Sequence, residues 1–241
     1  NEEAFNLSKL LCGSEGTLAF TTDITLSLDE LPPQHNMLVA VHFSSIQESL
    51  EAVVVAMKHN LFTCELMDKT ILDCTKNNRE QLLNRFFVEG DPEAILMLEI
   101  ASDDMDKTAK LAEKLITDLK AHNFGYAYPV LEGKNIEKAS TLRKAGLGLL
   151  GNIVGDRKAV ACIEDTAVAV NDLPQYIAEF TAMMKEYGQE AVYYAHAGAG
   201  ELHLRPILNL KKEEDLQLFR EITTKVAQLV KKYKGSMSGE H

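Results

Sequence analysis

A duplicated α+β fold is predicted by three features of the chain. Short runs rich in β-branched and aromatic residues alternate with amphipathic stretches of helical period. Their order is β-α-β then β-α-β from about residue 37 to 133, and β-α-β-β-α from about 158 to 241. The second half wants only a last strand, expected beyond His241, so both halves read as split β-α-β units of the ferredoxin-like kind. No sequence repeat accompanies the pattern, and the duplication rests on element order alone.

Residues 1–30 read differently from the rest. Leu10-Leu11-Cys12 runs into Gly13-Ser14-Glu15-Gly16-Thr17-Leu18, and an alternating, β-branched run over 19–28 follows. Gly-Ser-x-Gly exposes backbone N–H groups that suit a phosphate or cofactor, although a plain turn between helix and strand has the same spacing. Leu31-Pro32-Pro33 is a linker. A strand is then expected over 37–44. A helix over 45–60 follows, with Ser45 as N-cap and Glu48 three residues on. Strands over 62–67 and 94–101 flank a partly helical 68–87. A helix over 104–122 and a strand over 126–131 complete the first half.

Residues 136–150 read as a helix-like connection ending in Gly146-Leu147-Gly148-Leu149-Leu150-Gly151. That string spells G-x-G-x-x-G, but a helical segment precedes it and a strand follows. A dinucleotide fingerprint needs the reverse order, so the stretch is read as a flexible link between the halves. In the second half a strand over 159–170, a helix from 171 to 187, a hairpin over 193–208 and a helix over 211–234 are expected.

Composition limits the function classes. With 46% hydrophobic residues in 241, the chain is long and apolar enough for a sizeable core. Lys and Arg number 25 against 36 Asp and Glu, a net charge of −11 without a basic cluster, which argues against nucleic-acid binding. Cys12, Cys64, Cys74 and Cys162 lie far apart, as expected of reduced thiols in a cytoplasmic protein. No apolar run reaches the roughly 20 residues that span a bilayer. The chain is expected to be a piece of a longer polypeptide.

Chemistry concentrates in Tyr193–Pro206. His196 and His203 flank a turn built on Gly198 and Gly200. If that turn holds an even number of residues, with His196 opposite Glu201, side-chain alternation puts His196, Glu201 and His203 on one face. Diagonal partners then lie roughly 7–8 Å apart, within reach of a shared metal ion. An odd turn would separate the two imidazoles. Glu240 and His241 end the chain after a Gly/Ser turn and offer further ligands. Arg205 shares a strand face with His203, and Arg143 precedes the glycine-rich stretch; both would suit an anionic group.

Taken together, the chain resembles FAD-linked oxidases of the vanillyl-alcohol oxidase type, in the branch of D-lactate dehydrogenase, the glycolate oxidase FAD subunit and D-2-hydroxyglutarate dehydrogenase. Gly13-Ser14-Glu15-Gly16-Thr17-Leu18 is similar to the end of that family's flavin domain. His196-Ala197-Gly198-Ala199-Gly200-Glu201-Leu202-His203 resembles its His-x-Gly-Asp-Gly-Asn-x-His. Glu164-Asp165-Thr166-Ala167-Val168 and Ser238-Gly239-Glu240-His241 resemble two further motifs.

The resemblance implies a remnant of the FAD-binding domain over 1–30 and a substrate (cap) domain over 31–241. FAD would touch Gly13, Ser14, Glu15, Gly16 and Thr17 but be held mostly by residues outside this chain, which alone is expected to be inactive. His196, His203 and Glu240 would bind a divalent metal, zinc above all. His241 would be the general base, Arg143 would hold the substrate carboxylate, and Lys158 and Arg205 would be further substrate contacts. A small D-2-hydroxy acid of the lactate or glycolate type would be oxidised.

An electron-acceptor protein or quinone is an expected partner, with a cytoplasmic location or one at the inner face of the membrane. Ala199 and Glu201 depart from the family's Asp and Asn, which leaves the metal in question. The alternative is a metal- or ligand-binding regulatory domain of ferredoxin-like fold without catalysis, in which Gly13–Leu18 would have no purpose.

Overall fold

The computed structural model describes residues 5–239, so Glu240 and His241 lie outside the described residues. The chain divides after Pro32 into two compact units.

In the first unit a short helix, α1 (Leu7–Cys12), starts at Asn6, whose side chain accepts from the N–H groups of Ser8 and Lys9. Leu7, Leu10, Leu18, Phe20, Ile24 and Leu26 are exposed. The strand expected over 19–28 does not form. A strand exists only by pairing, and no described residue of this unit offers it an edge.

The second unit is a mixed α/β structure around an antiparallel sheet of eight strands. They are β1 (His35–Phe43), β2 (Thr63–Asp68), β3 (Ala94–Ser102), β4 (Val130–Glu132), β5 (Lys158–Ala159), β6 (Ile163–Ala167), β7 (Ala191–His196) and β8 (Glu201–Leu208). Their spatial order is β4-β1-β3-β2-β7-β8, with β5 and β6 both paired to β8. The helices are α2 (Ile46–Ala56), α3 (Lys69–Lys76), α4 (Arg79–Leu82), α5 (Met105–Ala121), α6 (Lys134–Leu149), α7 (Leu173–Glu186) and α8 (Glu213–Lys232). Among the described residues no helix is long and apolar enough to cross a membrane.

Two hydrophobic clusters, one per sheet face, follow from the period-2 alternation of the strands. On one face Val39, Val41, Leu96, Leu98, Leu202 and Leu204 pack against α2, α5, α7 and α8. On the other, Leu38, Met67, Ile95, Met97 and Tyr194 pack with α3, α6, Phe87 and Leu150. Ser45 caps α2 as expected, accepting from Glu48 N–H at 3.1 Å.

The glycine-rich stretch is not the flexible link its composition suggests. Gly146 and Gly148 lie inside α6, and a 3-10 turn over Leu150–Asn152 follows. Gly146 is there for close approach: a Cβ on it would come within 2.4 Å of Ile71 Cγ2 on α3. Gly148 faces open space. We expect Gly146→Ala to cost about 1–3 kcal/mol by overpacking. Gly148→Ala should stabilise by about 0.5–1 kcal/mol through helix propensity. Urea unfolding of the two variants checks both signs.

The join between β2 and β7 is narrow. Only Leu66 with Ala195 and Met67 with Tyr194 pair across it. Asp68, at the end of β2, reinforces it: one carboxylate oxygen accepts from Ile71 N–H at 3.0 Å, capping α3, and the other from Tyr193 N–H at 2.9 Å. Burial raises this carboxyl from 3.8 to about 7, against the pull of those N–H groups. A folded pKa above the unfolded one contributes stability that is present below about pH 4 and is lost as pH rises through about 7. The melting temperature of the wild type relative to Asp68→Asn should therefore be higher at pH 5 than at pH 8.

Candidate functional site

The hairpin of β7 and β8 builds the site. A 3-10 turn, Ala197–Ala199, and Gly200 at φ 72° make a four-residue connection. The even count puts His196 opposite Glu201 and Tyr194 opposite His203. Both imidazoles thus fall on the sheet face covered by α3 and α6, with ring centroids 5.5 Å apart and planes at 76°. Gly200 is required twice over. Its φ is in the left-handed region, and a Cβ would lie 2.0 Å from the carbonyl oxygen of Val168. Gly200→Ala is expected to cost about 2 kcal/mol or more and to disturb the register, read as loss of protection from hydrogen exchange across residues 191–208.

Each imidazole leans on carboxylates through Nδ1. His196 Nδ1 lies 3.1 and 3.0 Å from the two oxygens of Glu65 on β2. His203 Nδ1 lies 3.0 Å from Glu164 and 2.8 Å from Asp165 on β6. An ionised carboxylate only accepts, so Nδ1 carries a hydrogen in both rings. This is the arrangement that orients histidines as metal ligands or as bases.

Neighbouring strand residues normally point to opposite faces. Glu164 and Asp165 both reach His203 because β6 slips register between Ile163 and Thr166, with Asp165 at φ 61°. Burial by itself would raise the Glu164 pKa; the bond to His203 and the nearby Arg205 outweigh it and hold the carboxyl below its ordinary range. Glu164, Asp165 and His203 bring three ligand-type atoms within 4.8 Å of one another.

Arg143, on α6, is buried beside the pair. Its Nη2 forms an ion pair with Glu65 at 2.5 Å and donates to the Ala195 carbonyl at 3.1 Å. The guanidinium stacks 4.2 Å from the Tyr194 ring centroid. Its Nε–H is buried and meets no acceptor among the described residues, which marks a place for one. Arg205 ion-pairs with Glu164 at 2.7 Å. A cleft of about 470 Å³ opens at His196 and Glu65, lined also by Met57, Phe62, Thr63 and Gly198.

The structure thus brings together His196, His203, Arg143 and Arg205 from the sequence-predicted set. Lys158 stands apart from that cluster, on the short edge strand β5, where its amine donates to the carbonyls of Gly151 (3.2 Å) and Ile153 (2.5 Å). Gly13–Thr17 forms a turn in the first unit. The hydroxyls of Ser14 and Thr17 and the Thr17 N–H bond back to main-chain carbonyls of residues 11 and 14. Glu15 and Gly16 have positive φ and are exposed. Glu240 and His241 fall outside the described residues. Sequence reasoning missed Glu65 altogether, and its signal was a carboxylate between Cys64 and Leu66 in the middle of β2.

A family model for FAD linked oxidases, C-terminal domain, matches residues 32–241. The chain belongs to that family. Its similarity to D-2-hydroxyglutarate dehydrogenase of Haemophilus influenzae is 32% identity over the whole chain and 24% of the relative. D-lactate dehydrogenase of Archaeoglobus fulgidus is 29% identical over the whole chain and 50% of that protein. The chain spans about a quarter of the hydroxyglutarate relatives it matches. Among solved structures, 4-ethylphenol oxidase from Gulosibacter chungangensis aligns with a TM-score of 0.51 at 10% identity, covering 85% of this chain and 45% of that one. That likeness shows the shared fold of the FAD-linked oxidase C-terminal domain.

Proposed function

We propose that this domain is the substrate-holding part of a flavin-dependent dehydrogenase that oxidises a D-2-hydroxy acid to the 2-oxo acid. The observation that carries the reading is the buried guanidinium of Arg143 with an unfilled Nε–H, next to two imidazoles oriented through Nδ1 by carboxylates. A carboxylate and an adjacent hydroxyl are the groups such a constellation receives. The regulatory-domain alternative is not favoured by the family match.

In this reading Arg143 takes the substrate carboxylate through Nε–H while Nη2 stays with Glu65. The C2 hydroxyl lies toward the histidine pair, and His241 accepts its proton as C2 gives up hydride. FAD, when bound, supplies the hydride acceptor. The backbone N–H groups of Glu15 and Gly16, which take no part in the turn's own bonds, suit its oxygens. A divalent ion would be held by His196, His203 and Glu240 and would supply local positive charge; the Nδ1–carboxylate contacts fit that role. The cleft beside His196 would receive the remainder of the acid.

Arg205 is engaged in an ion pair with Glu164 and does not discriminate among the acids. The hydroxyglutarate relatives make that longer acid an equal contender. The strand order supports a duplicated ferredoxin-like architecture: β4-β1-β3-β2 forms one half and β7-β8-β6 matches three strands of a second, over about 37–133 and 158–241. The remnant of a flavin domain over 1–30 agrees with exposed apolar residues there.

The test is reduction of bound flavin in the full-length polypeptide by D-lactate, glycolate and D-2-hydroxyglutarate. One of these should bleach the flavin, and Arg143→Gln should raise its KM by about 100-fold. Failure of all three, or an unchanged KM, would remove the proposal.

A further inference from the structure

We propose that Glu65 is a positioning residue that sets Arg143 and His196 in one geometry through a single carboxylate, an inference that rests on the D-2-hydroxy acid reading for its kinetic consequences. Glu65 lies on β2, in the first half of the sheet, whereas His196 ends β7 in the second. Arg143 comes from α6. Three elements far apart in sequence therefore meet on one side chain, which is 19% exposed.

Both partners bring N–H groups to it. Arg143 Nη2 is 2.5 Å from Oε2, and His196 Nδ1 sits astride Oε1 and Oε2 at 3.1 and 3.0 Å. The imidazole donates to Oε1, whereas the guanidinium meets the charge at Oε2 as an ion pair without hydrogen-bond geometry. An amide of the same shape has one acceptor oxygen, and its NH2 would face a donor on whichever side it was turned. Glu65→Gln therefore keeps the volume but removes the charge that faces Arg143 and leaves a single acceptor oxygen for the imidazole. The consequence differs with each. Losing the arginine frees the guanidinium to rotate off the Tyr194 ring. Losing the imidazole removes the reason for its hydrogen to stay on Nδ1.

Glu65 is also why the buried arginine is tolerated. A buried guanidinium without a counter-charge is expensive, and among the described residues Glu65 is the carboxylate paired with it. The same pairing leaves Arg143 one filled corner and one empty one, the latter being the Nε–H. The substrate carboxylate is thereby directed to one edge of the guanidinium and held at a fixed offset from His196. Coupling of this kind makes substrate affinity and turnover respond together to a change at Glu65. A residue that only supports the fold leaves the two free to change independently.

Two measurements test this in the full-length protein. The first reads the imidazole directly. Long-range 1H–15N correlations of 15N-histidine-labelled protein should show His196 as the Nδ1–H tautomer in the wild type and a mixed or Nε2–H form in Glu65→Gln, with the backbone spectrum otherwise retained. The second is a kinetic cycle of Glu65→Gln, Arg143→Gln and the double variant, using the acid that reduces the flavin. Glu65→Gln alone should raise KM about tenfold and lower kcat about tenfold. The double variant should show no greater rise in KM than Arg143→Gln alone, because both act on one contact.

Additive effects in the cycle, or an unchanged His196 tautomer in Glu65→Gln, would overturn the assignment. A wild type that reduces flavin with none of the acids would instead sink the proposed function while the tautomer measurement still decides whether Glu65 sets the imidazole.

Discussion

The geometry of the site depends on a turn of four residues. Because Ala197 to Gly200 is an even insertion between β7 and β8, His196 pairs with Glu201 and the two imidazoles share a face. One residue more or fewer would send His203 to the opposite, fully apolar face, where Leu202 and Leu204 now sit against the helices. Gly200 fixes the count, since its left-handed backbone lies against Val168 with no room for a side chain. A local conformational requirement is thus converted into the placement of chemistry several residues away.

Charge is handled by pairing rather than by exposure. On the face covered by α3 and α6, Arg143, Glu65 and His196 form one chain of contacts. Arg205, Glu164, His203 and Asp165 form another. The histidine rings meet edge to face between them. Each ionic group there has a partner of opposite sign, which offsets the cost of bringing it out of water. The Nε–H groups of Arg143 and Arg205 are both buried there without a hydrogen-bond partner among the described residues. The sheet supplies rigidity: β2 carries Glu65 and β7 carries His196, and Asp68 ties those strands at their narrow seam.

Much of this was legible in the sequence because it rests on parity and period. Side-chain alternation on the Tyr193–Leu208 hairpin gave the shared face, and Arg143 and Arg205 were singled out by residue type. The Ser45 cap and most strands followed from local pattern as well. The parts that were not legible depend on contacts between distant segments. Glu65 looks like one carboxylate in a short strand until β7 is laid beside it. The joint reach of Glu164 and Asp165 to His203 requires a slipped register that no spacing reveals. The glycine-rich stretch reads as a flexible link only when the close approach of α3 to Gly146 is unknown. The run over 19–28 has strand composition but no edge to pair with among the described residues of its unit. Lys158 carries a charge suited to substrate, yet it is spent on loop carbonyls.

Convergence of the two imidazoles on one sheet face is what the functional reading stands on. The most direct test is a nuclear Overhauser measurement on histidine-labelled protein, read between the ring protons of His196 and His203. With ring centroids 5.5 Å apart, a cross-peak between the rings is predicted, alongside one between the α protons of Ala195 and Leu202. Absence of the ring contact, with a strong contact from His203 to the side chains of the opposite face instead, would contradict the account.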